Sequence, residues 1–160
     1  FKVGVALLDG EIKFRMNNTG DVALGDATGD GVLDTDSDNN IASTAGHYLI
    51  TINLNDNSYT IEESNVYGVV GSGFNDWGAT PDATLTEIQP GVWFVENVTL
   101  LDGEIKFRQN DTWDVSYGDA NADNILDTDA DNNIASVAGN YVISIDFNDA
   151  AGPVYSLGSR

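Results

Sequence analysis

The chain has 160 residues, with 6 basic against 26 acidic side chains and a formal net charge of -20 at pH 7. Such an excess repels nucleic acid and anionic lipid, and suits cations, neutral ligands or a salty medium. Hydrophobic residues make up 41% and aromatic residues 9%, which excludes a disordered acidic tail, and with no cysteine there is no disulfide framework or thiolate chemistry.

No apolar run approaches the roughly 20 residues of a membrane-spanning helix. A shift of about 93 positions superimposes "FKVGVALLDGEIKFRMNNTGDVALGD" on "FVENVTLLDGEIKFRQNDTWDVSYGD" and "LDTDSDNNIASTAGHYLITINLND" on "LDTDADNNIASVAGNYVISIDFND". The chain is therefore an internal duplication. The first module, residues 1–64, begins at the equivalent of Phe94 and lacks a copy of residues 66–93. Its sheets are expected to be short by two strands, and the natural protein is expected to continue N-terminally. The second module, residues 65–160, reads as whole.

In chain order, "YLITINL" reads as a strand of the first module, and a joint follows near Glu63, Ser64 and Asn65. The Gly/Asn/Asp-rich "GSGFNDWG" reads as a loop presenting Trp77, with Phe74 as its packing support. "GVWFVENVTL" reads as a strand with Trp93 in the core or on the sheet. In "EIKFR" the period of two turns Ile105 and Phe107 one way and Glu104, Lys106 and Arg108 the other, toward solvent. "NYVISIDF" sets Tyr141, Ile143 and Ile145 on one face. No stretch shows sustained helical periodicity, so each module is expected to be an antiparallel β-sandwich.

Four of the six basic residues are Lys13, Arg15, Lys106 and Arg108, in the twice-written "EIKFR". Trp113 follows the second copy in a polar loop, and its counterpart in the first is Gly20. A core seldom accepts tryptophan against glycine in close duplicates, whereas an exposed platform does. An indole face with nearby guanidinium and ammonium donors suits a sugar, whose C–H face is apolar and whose ring edge carries hydroxyls. Salt bridges to neighbouring aspartates are the plainer alternative for the two cations.

The loops "DATGDGVLDTDSDNN" and "DANADNILDTDADNN" place carboxylates one and two residues apart, the oxygen-rich supply that Ca²⁺ takes. One structural Ca²⁺ per module is expected, on some of Asp34, Asp36 and Asp38 and of Asp127, Asp129 and Asp131, with Asp30 and Asp123 as further candidates. A solvated acidic turn with local Asx hydrogen bonds is the alternative.

Together "GVVGSGFNDWG", "DGEIKFRQNDTWDVSYGD" and "NNIASVAGNYVISIDFND" resemble the repeated starch-binding modules of SusE/SusF-type outer-membrane lipoproteins of Bacteroidetes. The resemblance implies all-β architecture in tandem immunoglobulin-like antiparallel sandwiches, the first incomplete at its N-terminus. It also implies non-catalytic polysaccharide binding at the cell surface, on starch-like α-glucan, beside other glycan-uptake proteins. Carried over residue by residue, the implied glycan site is Trp77, Lys106, Arg108 and Trp113, with Asn110 and Tyr117 as neighbours. The first module matches at Lys13 and Arg15 and departs at Gly20. The acidic loop is also denser than the glycine-rich turn usual in that family. The alternatives are a calcium-stiffened spacer and a site for another glycan such as a β-glucan. An enzyme is not expected, because the acids crowd one loop and the single His47 is Asn140 in the second copy.

Overall fold

A computed structural model describes residues 1–18, 22–35, 39–129 and 131–160. Gly20, Asp36 and Asp38, named above, lie outside these residues. The described chain is all-β, built from antiparallel sheets, with no α-helix and so no helix long and apolar enough to cross a membrane. It divides into two compact units, Phe1–Ser64 and Asn65–Arg160.

In the first unit the strands are β1 (Lys2–Leu7), β2 (Gly10–Ile12), β3 (Phe14–Arg15), β4 (Ala23–Leu24), β5 (Ile41–Ser43), β6 (Gly46–Asn53) and β7 (Ser58–Glu63), with a short 3-10 turn at Met16–Asn18. They pair as a three-stranded sheet β1-β6-β7 and two ribbons, β2-β5 and β3-β4. Leu33, Ile41, Ile50 and Ile52 form the buried core, with Val3, Val5, Ile12, Phe14 and Leu24 packed against it.

In the second unit β8 (Tyr67–Val70), β9 (Ala83–Thr84), β10 (Thr86–Gln89), β11 (Val92–Leu100), β12 (Gly103–Gln109), β13 (Ser116–Tyr117), β14 (Ile134–Ser136), β15 (Gly139–Asp146) and β16 (Val154–Ser159) follow. They form a four-stranded sheet, β10-β11-β15-β16, and a five-stranded one, β13-β12-β8-β9 with β14 also on β12. Val69, Ile105, Phe107 and Ile134 from one sheet meet Trp93, Val98, Leu100, Ile143 and Ile145 from the other in a single core. The alternation of apolar residues in β12 and β15 directs one face of each strand into that core. Trp93 is among its members, and Phe74 packs against it. The segment without a copy in the first unit, 66–93, carries β8, β9, β10 and the start of β11, one whole strand more than its two expected strands.

The two copies share a device that ties the acidic loop to the last strand. Asp26 accepts hydrogen bonds from the Gly29 and Gly31 N–H groups at 2.7 and 2.9 Å and from the Thr28 and Tyr59 hydroxyls, both at 3.0 Å. Asp119 likewise accepts from the Asn124 N–H at 2.8 Å and the Tyr155 hydroxyl at 3.2 Å. Burial acts to raise the Asp26 pKa, but the donated hydrogen bonds outweigh it and hold the carboxyl at about 2. Tyr59 and Tyr155 are each pushed up to about 12, by burial first and then by the facing carboxylate.

One expectation fails at β12. Lys106 and Arg108 were expected to face solvent, but they are only 3% and 8% exposed. The period of two assigns them correctly to the face opposite Ile105 and Phe107. What it cannot register is that Gly78 and Asp82 lie against Arg108 and the Asp129 carbonyl lies against Lys106 on that face.

Candidate functional site

Two loops of the second unit build the site over β12. The first runs from Gly71 to Asp82, and buried Asn75 organises it. Its Oδ1 accepts from the Gly71 and Gly78 N–H groups at 3.1 and 3.2 Å, while its Nδ2 donates to the Thr80 carbonyl and the Asp82 carboxylate, both at 2.9 Å. With all four hydrogen-bonding sites of the amide used, the loop is closed into a compact turn. Asp76, Trp77 and Gly78 then occupy consecutive positive φ angles of 50°, 57° and 103°. A tryptophan in the left-handed region is costly, about 1–3 kcal/mol, and persists only where its surroundings impose it.

Asp82, at the end of this loop, was not named from the sequence. Its carboxylate forms a two-pronged pair with Arg108, Nε to Oδ2 at 2.6 Å and Nη2 to Oδ1 at 2.8 Å. The Asp82 side chain is fully buried. The pair commits the Nε–Nη2 edge of the guanidinium, so Arg108 takes up the aspartate pairing that the sequence offered as the alternative to a free hydroxyl donor. A Cβ on Gly78 would lie 3.0 Å from Nη2, so the glycine admits both the backbone angle and the guanidinium. The signal for Asp82 was slight: it is an acid five residues beyond Trp77, in a segment with no second copy to compare.

The second loop joins β12 to β13. The Gln109 N–H donates to the Val115 carbonyl at 2.9 Å and the Thr112 N–H to the Gln109 carbonyl at 3.1 Å, lifting Trp113 off the sheet, where it is 52% exposed. The Arg108 guanidinium carbon sits 4.9 Å from the centre of the Trp113 ring, a cation–π contact. The Trp77 and Trp113 ring centroids are 6.1 Å apart and inclined by 47°. Beside them lies a cavity of about 400 Å³ lined by Trp77, Lys106, Trp113, Ser116 and Asn133. Ser116 and Asn133 also escaped the sequence reading, because nothing separates them from other loop hydroxyls and amides until the fold closes.

Lys106 reaches the acidic loop, its Nζ donating to the Asp129 carbonyl at 3.1 Å. Burial pushes its pKa below the ordinary lysine value, and the charges of Asp127, Asp131 and Asp129 work in the other direction. This ammonium lies among the acids for which a calcium ion was expected. Asp127 accepts from the Asp129 N–H at 3.0 Å and from the Asn132 amide, and Asp123 from the Ile125 N–H at 2.9 Å. In the first unit Asp30 accepts from the Val32 N–H at 2.9 Å and Asp34 from the Asn39 amide. The three bonds from backbone N–H groups are those of Asx turns. Among the described residues no three acidic or histidine side chains converge on a point that could hold a metal.

Two of the expected neighbours are placed elsewhere. Tyr117 pairs opposite Phe107 and packs on the core, edge-on to Tyr67 at 6.2 Å and to Phe147 at 5.6 Å. Asn110 bonds the start of β8 instead, its Oδ1 accepting from the Val66 N–H and its Nδ2 donating to Asn65, both at 3.0 Å. Trp77, Lys106, Arg108 and Trp113 are therefore brought together, and Tyr117 and Asn110 are not among them. Compared with protein-family models and with curated protein sequences, the chain matches none.

Proposed function

We propose that the second unit is a non-catalytic polysaccharide-binding module, and that both units are immunoglobulin-like sandwiches displayed at a bacterial cell surface. The observation that carries the reading is the half-exposed Trp113, backed by a guanidinium and inclined against Trp77 at the mouth of a cavity. A pyranose lays its C–H face on the exposed indole, and its edge hydroxyls meet Lys106, Ser116 and Asn133. Arg108 serves chiefly as the buried cation that fixes the Trp113 ring, since Asp82 already engages two of its nitrogens.

The strained backbone at Trp77 supports the same reading, because the loop accepts a cost to present that ring. Burying about 100 Å² of sugar face contributes roughly 2.5 kcal/mol, so a single site binds in the micromolar-to-millimolar range. Starch-like α-glucan is the leading ligand through family resemblance, with β-glucans behind it.

Calorimetry with soluble α- and β-glucans tests the site. Trp113→Ala and Trp77→Ala should each weaken binding about tenfold or more, as loss of about 1.4 kcal/mol requires. Wild-type affinity in both variants would reject it.

A further inference from the structure

The cavity beside Trp113 is lined by Trp77, Lys106, Trp113, Ser116 and Asn133, and Glu104 stands behind one of these residues. β14 pairs antiparallel with β12, Ile134 opposite Ile105 and Ala135 opposite Glu104. Ile105 and Ile134 are both buried in the core, so their neighbours Glu104, Lys106 and Asn133 share the other face. One step beyond the ladder, the register sets Asn133 opposite Lys106 and diagonal to Glu104, within reach of long side chains. The Asn133 Nδ2 donates to Glu104 Oε2 at 2.9 Å. An ionised carboxylate only accepts. The bond therefore fixes which end of the amide is which, nitrogen toward Glu104 and oxygen away from it.

The first unit holds the same bridge. The Asn40 Nδ2 donates to Glu11 Oε2 at 2.8 Å, with Ile41 opposite Ile12 and Ala42 opposite Glu11. There the positions of Trp113 and Ser116 hold Gly20 and Ala23. The bridge belongs to the framework that both copies share, and only the second unit sets it beside two indoles and a hydroxyl.

We propose that Glu104 is a positioning residue of the glycan site: it holds the Asn133 amide so that Oδ1 faces the cavity and accepts a hydrogen bond from a sugar hydroxyl. This rests on the glycan reading of the second unit. Lys106, an ammonium, can only donate, and the Ser116 hydroxyl adapts to either role. Asn133 then supplies the acceptor, and the ligand hydroxyl beside it must carry its proton. The class of ligand narrows to glycans whose hydroxyl at that edge is unsubstituted. An ether, an ester or a fluorine there brings no proton, and the amide oxygen loses its partner.

Calorimetry and side-chain amide NMR on the whole chain test this, with maltotriose and maltotriosides carrying fluorine in place of one hydroxyl at a time as probes. In the wild type one of the fluorinated sugars should bind about fivefold or more weakly than maltotriose, the loss of about one hydrogen bond. Glu104→Gln keeps the size of the side chain but donates as well as accepts, so the Asn133 amide can turn. That variant should move the Asn133 Nδ2 signals in the ligand-free chain and cut the fluorine penalty to about twofold or less, at an unchanged melting temperature. Asn133→Ala should abolish the penalty. A wild-type penalty in Glu104→Gln would overturn the proposal, as would an equal loss for every sugar together with a fall in melting temperature, which marks a structural role. Failure of the glycan reading looks different: maltotriose does not bind, or Trp113→Ala binds it as tightly as wild type, while the Asn133 signals still respond to Glu104→Gln. The proposal then falls with that reading.

Discussion

Asp82 and Arg108 form a pair that breaks asymmetrically. Removing one partner leaves the other charged and nearly dry, so Asp82→Ala should cost about 3–5 kcal/mol in urea unfolding, whereas Asp82→Leu with Arg108→Met should recover much of the loss. The double variant should still bind glycan more weakly, because the cation beneath Trp113 is gone. Asp26 makes a pH-dependent prediction. Its folded pKa of about 2 lies below the ordinary 3.8, so its contribution is complete above pH 3.8 and disappears as pH falls toward 2. The stability gap between wild type and Asp26→Asn should therefore narrow over that interval in acid titration. Tyr59 has the opposite sign. Its phenol, raised from 10.0 to about 12, stabilises below pH 10 and loses that contribution as pH rises toward 12, a limb that Tyr59→Phe should lack.

The Lys106 ammonium on β12 ties that strand to the acidic loop through the Asp129 carbonyl, and among the described residues there is no cluster of metal ligands. Lys106→Ala should leave Asp127, Asp129 and Asp131 repelling one another, and millimolar Ca²⁺ should then raise the melting temperature of the variant more than that of the wild type. Equal responses would show that the ammonium does not balance those charges. The same loop depends on a close backbone approach, since a Cβ on Gly118 would fall 1.7 Å from the Asn132 carbonyl oxygen. Gly118→Ala should cost at least the upper part of the roughly 1–3 kcal/mol typical of overpacking, measured by denaturant unfolding. The acidic spacing was plain in the sequence, but its meaning was not. A carboxylate run suits a divalent ion, a lysine or its own backbone N–H groups equally well, and the sequence does not show that Lys106 of β12 reaches the Asp129 carbonyl.

Each unit encloses its own core, one around Ile50 and Ile52 and the other around Ile143 and Ile145. Calorimetry should resolve two transitions, with Ile52→Ala lowering one and Ile145→Ala the other, each by about 2–5 kcal/mol. The first unit should melt first, because its aromatic and aliphatic rim is exposed where β8 covers the second.

Duplication, all-β character and the alternation of β12 and β15 were legible in the chain, because they depend on residues near one another in sequence and on the period of two. The contrast of Trp113 with Gly20 also pointed to a side chain outside the core, and Trp113 is indeed half-exposed. Tertiary structure decided the rest. Alternation tells which face of a strand a side chain takes and nothing of what covers that face, so the burial of Lys106 and Arg108 was invisible. Asp82 meets Arg108 across 26 residues of chain, and Tyr117 turns to the core because it lies opposite Phe107. Both contacts arise from strand pairing and loop closure, which bring distant residues together only once the sheets have formed.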